Sequence, residues 1–334
     1  IKRKDYKTEI NVVINPEAKA HYMKGRALSY GSTKEEAEKA LQHFRDAIEI
    51  DPKFTPAYVA IANEKTIQAM FSTATREEIF NEARLAVQTA MALDPNSAEA
   101  YYVDGAIKFY GDFDWEGAEK AYKKSIELNP NNANAFIRYS AFLGTMGRHE
   151  ESLDLANKAI ALDPISISSL HNLGWVNLIA GNFKESEAAF SEALDLHPNW
   201  IWGYTKRGFA RIYQGKCELA IADIEKAREL LNGWGSELIE QCFIQINDYC
   251  GNQEKKEELV TRYLNHFTPE NYTSAYSMAY VYFKNGEMDK ALDWIEKSIQ
   301  EKESNCILLN IELFTKGLLK SPRFKEIIKD MKFP

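Results

Sequence analysis

The chain has 334 residues, of which 45% are hydrophobic, 27% charged and 12% aromatic, with a formal net charge of −8 and a pI near 5.5. That acidic balance argues against a nucleic-acid partner, whose phosphates need clustered Lys and Arg. No apolar run approaches the roughly 18 residues required to cross a bilayer, so no membrane span is expected in this segment.

The chain opens on Ile1, and Lys2-Arg3-Lys4-Asp5 leads into no signal-peptide hydrophobic core, so it reads as a segment of a longer protein. Residues 1–15 form an N-terminal extension in this reading, 16–300 a series of repeats, and 301–334 capping helices. The repeats declare themselves through five phrases that end in proline: Glu49-Ile50-Asp51-Pro52, Ala92-Leu93-Asp94-Pro95, Glu127-Leu128-Asn129-Pro130, Ala161-Leu162-Asp163-Pro164 and Asp195-Leu196-His197-Pro198. Their prolines are 43, 35, 34 and 34 residues apart, and a fixed period in this range marks a solenoid. In the first unit Thr33 and Glu36 are spaced as a capping box, as are Thr75 and Glu78 in the second. The 43-residue gap places nine extra residues between the helices of that second unit, with Ser72-Thr73-Ala74-Thr75 as their turn.

The clearest unit runs from Ile167 to Trp200, with Leu170, Leu173, Gly174, Gly181, Phe190, Ala193 and Pro198 in register. Apolar residues three and four apart predict two amphipathic helices, and Gly181-Asn182 predicts the turn between them. Gly174 is expected where the two helices cross closely. Pro198 ends the second helix, because its ring clashes with the preceding turn and it has no N–H to donate. Phe136, Gly147, Ala159 and Pro164 mark the preceding unit, and Tyr204, Gly208, Gly215, Ala220 and Ala227 the following one, where Asn232 replaces the proline. The unit over about 237–270 is degenerate, with Lys256 at a small-residue position and Pro269 one place late. Gly251 and Gly286 restore the frame, and Ala279, Tyr282 and Ala291 fit the last unit. Ser321 as N-cap and Pro322 at the first helical position predict a terminal helix. About eight units result.

Catalytic signatures are missing: no nucleophile elbow, zinc-protease motif, phosphate loop or EF-hand occurs, and the reading is a non-enzyme without cofactor or metal. The six histidines, His21, His43, His149, His171, His197 and His266, have no ligand spacing, and Cys217, Cys242, Cys250 and Cys306 are expected as buried free thiols. The run Glu254-Lys255-Lys256-Glu257-Glu258 reads as a solvated helix face, and Asn271-Tyr272-Thr273 as a chance match to a glycosylation acceptor.

These offsets resemble the tetratricopeptide repeat over nearly the whole chain. The resemblance implies an all-α, right-handed superhelical α-solenoid of antiparallel helix pairs, about eight repeats plus terminal capping helices, that binds a protein or peptide ligand in a concave groove. In that architecture the first helix of each unit lines the groove, which selects Tyr102 and Phe109; Asn134, Ile137 and Ala141; His171, Trp175 and Leu178; Trp202, Thr205, Phe209 and Ile212; and Tyr276, Tyr280 and Phe283. Such a groove is aromatic at its centre and suits an apolar peptide anchored on Trp175, Trp202 and Phe209; the alternative is that these rings only pack between helices. The Lys, Asn and Arg clamp of repeats that capture heat-shock chaperone tails is incomplete: the unit with Asn172 is followed by Lys206, but Ile137 and Ala141 stand where the clamp's Lys and Asn should be and Trp202 where its second Lys should be.

A narrower resemblance, to the repeat regions of bacterial multidomain regulators, rests on Asp112-Phe113-Asp114-Trp115-Glu116-Gly117-Ala118-Glu119, on Asn15-Pro16-Glu17-Ala18 with Tyr22 and Gly25, and on Ser321-Pro322-Arg323-Phe324 with Met331 and Pro334. Those regulators carry adenylate-cyclase, protein-kinase or winged-helix modules, so the resemblance implies a sensor or docking region. Competing expectations are a substrate-positioning region of a multidomain enzyme and a self-assembling structural protein. A cytoplasmic location is expected unless a transmembrane helix precedes the segment, and the oligomeric state is left open.

Overall fold

Each proline of the ladder stands two residues beyond the end of a helix. These helices are α2 (Lys34–Ile50), α4 (Arg76–Leu93), α6 (Trp115–Leu128), α8 (His149–Leu162) and α10 (Phe183–Leu196). The proline cannot donate to the preceding turn, and after Pro95, Pro130 and Pro164 a polar side chain opens the next helix. Ser97 Oγ accepts from the Ala100 amide at 3.2 Å, and Asn132 Oδ1 from the Asn134 amide at 3.1 Å. The computed structural model describes residues 15–29, 34–70, 76–231, 236–268, 274–311 and 317–334. The candidate turn at 72–75, the N-caps Thr33 and Thr75, Asn232, Pro269 and the 271–273 motif lie outside them.

Between the proline-ended helices run α1 (Pro16–Leu28), α3 (Thr55–Met70), α5 (Ala98–Ile107), α7 (Ala133–Thr145), α9 (Ile167–Ile179) and α11 (Ile201–Ile212). Then follow α12 (Cys217–Glu229), α13 (Ser236–Tyr249), α14 (Gln253–His266), α15 (Ala275–Lys284), α16 (Met288–Gln300) and the terminal α17 (Pro322–Asp330). Odd and even helices pack as pairs, α1 on α2 through α15 on α16, so the described residues form an α-solenoid of eight pairs with a terminal helix. In five pairs the turn is set by a glycine of positive φ, at Gly147, Gly181, Gly215, Gly251 and Gly286. Gly181 has φ +82°, and the Asn182 amide donates back to the Asn177 carbonyl at 2.8 Å, a Schellman closure that a Cβ would strain. Where α9 and α10 cross, a Cβ on Gly174 would lie 2.8 Å from the fully buried Phe190 ring.

Departures from the 34-residue period have local causes. Of the nine extra residues in the second unit most lengthen helices, because α3 and α4 have 16 and 18 residues where α9 and α10 have 13 and 14. The expected insertion between the helices is thus corrected. The 35-residue spacing is absorbed by a π-helical turn over Lys108–Asp112, ended by Phe113 at φ +55°. Asp114 then caps α6, its Oδ1 accepting from the Gly117 amide at 2.9 Å. At the C-terminus Ser321 Oγ accepts from the Phe324 amide at 3.3 Å with Pro322 at the first helical position, as the sequence predicts.

The cysteine expectation holds for two residues and fails for two. Cys242 and Cys306 are buried free thiols, whereas Cys217 and Cys250 form a disulfide with their Cα atoms 5.7 Å apart. They are 33 residues apart, nearly one period, so stacking places the start of α12 beside the turn that follows α13.

The superhelix returns to touch itself. A 3-10 segment over Ser304–Asn310 lies against α3, α7 and the π-helical turn. Ser304 Oγ donates to the Tyr110 carbonyl at 3.3 Å and Asn310 Nδ2 to the Thr145 carbonyl at 2.8 Å. Farther along, Trp115 Nε1 donates to the Met331 carbonyl at 2.9 Å, and its indole stacks on Phe333. Arg76, at the start of α4, donates Nε to the Ala69 carbonyl and Nη1 to the Glu301 carbonyl, and its Nη2 lies 3.7 Å from Glu303. Glu303 is 1% exposed and accepts from the Ala275 and Tyr276 amides and from Ser298 Oγ at 2.7–2.8 Å. One carboxylate therefore caps α15 and meets a cation from 227 positions away.

Candidate ligand groove

The first helices of neighbouring pairs, α3 through α15, touch along the row, so they line the tighter inner side of the superhelix. Their open faces decide what a ligand would meet. His171 and Trp175 on α9 are half-buried, as are Tyr102 on α5, Ile137 on α7, Trp202 on α11 and Tyr280 on α15, while Asn134 is exposed. Six expected lining residues face the core, Ile212 among them. Phe109 is 1% exposed, Leu178 0%, Thr205 1%, Phe209 4% and Tyr276 8%. Phe109, for example, packs edge-on against Phe142 and Trp115, and Thr205 Oγ1 donates to the Ile201 carbonyl. On the inner face of α11 Trp202 and Lys206 are half-buried while Thr205 and Phe209 are buried, so the groove stripe on this helix is rotated by one residue from the expected one.

That rotation brings in charge. Lys206 Nζ lies 4.6 Å from the centroid of the Trp175 ring, a cation–π contact. Among the described residues it has no carboxylate partner, and burial lowers its pKa. Arg138, also half-buried and also without a carboxylate partner among the described residues, reaches from α7 toward α3, where Nη2 donates to Asn63 Oδ1 at 3.5 Å. Between them stands His171, whose ring sits edge-on to Trp200. Burial, then Lys206 and then Arg138 pull its pKa down to about 4, so the imidazole is neutral at pH 7. Burial also pushes the Tyr102 hydroxyl up to about 12 and the Cys242 thiol up to about 12, the latter partly offset by Lys206. The buried Tyr280 hydroxyl has no hydrogen-bond partner among the described residues. This inner wall can therefore offer two cations, neutral donors and aromatic faces.

Arg138 escapes the sequence reading because it sits one position beyond Ile137, whereas Lys206, one position beyond Thr205, enters it only as part of an incomplete chaperone-tail clamp. The ring that Lys206 covers, Trp175 on α9, stands nearly one repeat earlier in the chain.

Residues 121–154, 167–199 and 272–305 match family descriptions of the tetratricopeptide repeat. Over those three stretches the chain is similar to tetratricopeptide repeats. Among curated relatives, small glutamine-rich tetratricopeptide repeat-containing protein 2 of Mycosarcoma maydis is 30% identical over 86 residues, covering 26% of this chain and 24% of its own. The peroxisomal targeting signal receptor of Kluyveromyces lactis is 28% identical over 111 residues, 33% of this chain and 19% of its own. The chain thus spans a quarter or less of the length of these relatives. In three dimensions it is similar to the monomeric mutant of IFIT1 with Gppp-AAAA, at a TM-score of 0.65 and 14% identity over 94% of this chain and 71% of that one. At that identity the likeness speaks to the fold. Tetratricopeptide repeats in general mediate protein–protein interactions, and the fold is typically a non-catalytic scaffold.

Proposed function

We propose that this chain is a non-catalytic docking scaffold that holds an extended peptide along the inner face, with a peptide carboxylate received between Lys206 and Arg138 and an apolar side chain laid on Trp175 and Trp202. The observation that carries this reading is Lys206 over Trp175 without a carboxylate of its own. A half-buried cation with no charge opposite it is poorly compensated, and a ligand carboxylate supplies the missing charge. A net charge of −8 and two open cations match one or two carboxylates better than a polyanion, which needs many phosphate contacts. The peptide reading is consistent with a relative whose name is that of a targeting-signal receptor. The partial match to longer relatives, and the phrase over residues 112–119, favour a docking region within a larger regulatory protein.

The test is selection from a random peptide library followed by fluorescence anisotropy on synthetic hits. Enriched peptides should share an Asp, a Glu or a free C-terminus beside an apolar residue. Lys206→Met should weaken them roughly 10- to 100-fold, the scale of a hydrogen bond to a charged group. Hits that bind Lys206→Met and Trp175→Ala unchanged, or preferential binding of a triphosphorylated oligonucleotide, would overturn the assignment.

A further inference from the structure

The six histidines look scattered along the chain, yet two of them meet. His21 on α1 and His43 on α2 face each other through their Nδ1 atoms at 3.4 Å. Asp46, one turn beyond His43, directs a single oxygen at both: Oδ2 lies 3.1 Å from His21 Nδ1 and 3.8 Å from His43 Nδ1. All three side chains are about 30% exposed, enough for an ion to enter.

Hydrogen bonding alone accounts for this arrangement poorly. If both Nδ1 atoms carry protons toward Asp46 Oδ2, His43 at 3.8 Å is too far to donate well and its N–H meets that of His21 at 3.4 Å. If His43 donates to His21 instead, Asp46 Oδ2 is left facing a lone pair at 3.1 Å. What the three atoms share is a centre: the nearest point equidistant from them, in their own plane, lies about 2.0 Å from each, and an ion about 0.6 Å off that plane would be about 2.1 Å from each, within the bond lengths of zinc to imidazole nitrogen and carboxylate oxygen. Donors of a tetrahedral zinc are about 3.3 Å apart, and the observed separations of 3.1, 3.4 and 3.8 Å bracket that value. The outer shell is present too. Asp46 Oδ1 accepts from Gln42 Nε2 at 2.8 Å, which leaves Oδ2 oriented toward the two rings.

We infer that His21, His43 and Asp46 form a divalent transition-metal site, with zinc the preferred ion, three protein ligands and an open fourth position toward solvent. Two imidazoles and one carboxylate suit zinc and its neighbours and disfavour magnesium and calcium, which take oxygen donors. The site has a clear structural use. The first pair shares a small core with the start of α3, built on Phe44 and Phe54 with alanines Ala18, Ala40, Ala47, Ala57 and Ala60. A bound ion would fasten α1, the outermost described helix, to α2, and whatever binds the folded pair alone stabilises it.

The experiment uses untagged full-length chain, titrated with zinc chloride by calorimetry and with cobalt chloride by visible absorption. Expected are one zinc per chain bound at micromolar or lower concentration, cobalt bands of a low-coordinate site, no competition from millimolar magnesium, and slower amide exchange over residues 16–28. His43→Ala and the near-isosteric Asp46→Asn should each weaken zinc at least tenfold with the helical circular dichroism retained. If His43→Ala unfolds the first pair, Asp46→Asn carries the same expectation. Absence of saturable zinc binding, or binding that neither variant changes, would overturn the site.

Discussion

Arg76 is the residue through which the end of the superhelix is tied to its beginning, and replacing it with Met isolates that tie. The guanidinium is 5% exposed, satisfies two carbonyls, those of Ala69 and Glu301, and lies against a carboxylate that is 1% exposed. Met keeps the aliphatic volume and removes the charge and the donors. Breaking a buried pair by removing one partner costs about 3–5 kcal/mol. Glu303 keeps its amide and hydroxyl donors, which places the expectation near the lower end, about 3 kcal/mol. Expressed as opening of the 304–310 segment, that is roughly a hundredfold faster amide exchange. A pH signature separates lost charge from lost packing. Burial already raises the Glu303 pKa and Arg76 opposes it, so the variant pushes it further up. A carboxyl whose folded pKa lies above its unfolded value is penalised for its charge above the folded pKa and escapes that penalty once pH falls below the unfolded value, near 4.5. The deficit of Arg76→Met relative to the native chain should therefore be full at pH 7.5 and shrink toward pH 4.5. Adding Glu303→Gln should recover part of it at neutral pH. Hydrogen exchange with mass spectrometry reads the first effect, and urea denaturation across pH the second. Unchanged exchange over residues 304–310, or a deficit that does not vary with pH, would refute the reasoning.

Two further outcomes follow from geometry. Burial raises the pKa of Glu119 and Glu187, but Lys123, Arg148 and Tyr139 around the first, and Lys216, Arg211 and Gln214 around the second, outweigh it and hold both at about 2. Both groups stabilise the fold above pH 4.5, and that contribution is lost as pH falls from 4.5 toward 2; after solvent screening it is about 1 kcal/mol each. Urea midpoints of a Glu119→Gln, Glu187→Gln variant should fall less steeply with acid than those of the native chain, and parallel curves would count against the assignment. Gly174→Ala would place a methyl 2.8 Å from the Phe190 ring. Overpacking of about 1–3 kcal/mol should outweigh the roughly 1 kcal/mol gained in helix propensity, and Phe190→Leu in the same chain should restore thermal stability; a native-like melting temperature for Gly174→Ala alone would contradict it.

The architecture was legible because its punctuation is local. Five prolines and Gly181 act within one turn of chain, so helix ends and pair turns follow from neighbours in sequence. Groove residues were less legible. A rotation of about 100° per residue means that a one-position shift of frame exchanges Phe209 and Thr205 in the core for Lys206 at the surface. The disulfide left a trace that the motif reading passed over: a separation of 33 residues is close to one period, which brings Cys217 and Cys250 together in stacked units. The metal-like cluster left a fainter one, since His43 and Asp46 are spaced i, i+3 on one helix face, but His21 joins only through the packing of α1 on α2. The Arg76–Glu303 contact had no sequence signal at all, because it depends on the summed curvature of the intervening pairs.

A linear array of repeats tolerates additions and deletions, since each unit answers only to its neighbours. Here the last unit answers to the second as well. Insert or remove one 34-residue unit between Arg76 and Glu303, and the end of the spiral arrives a full pair out of step with its receiver. The number of repeats in this stretch is then a geometric constant, as fixed as the number of blades in a propeller. Variation in length among related chains should fall outside it, at the first pair or beyond the terminal helix.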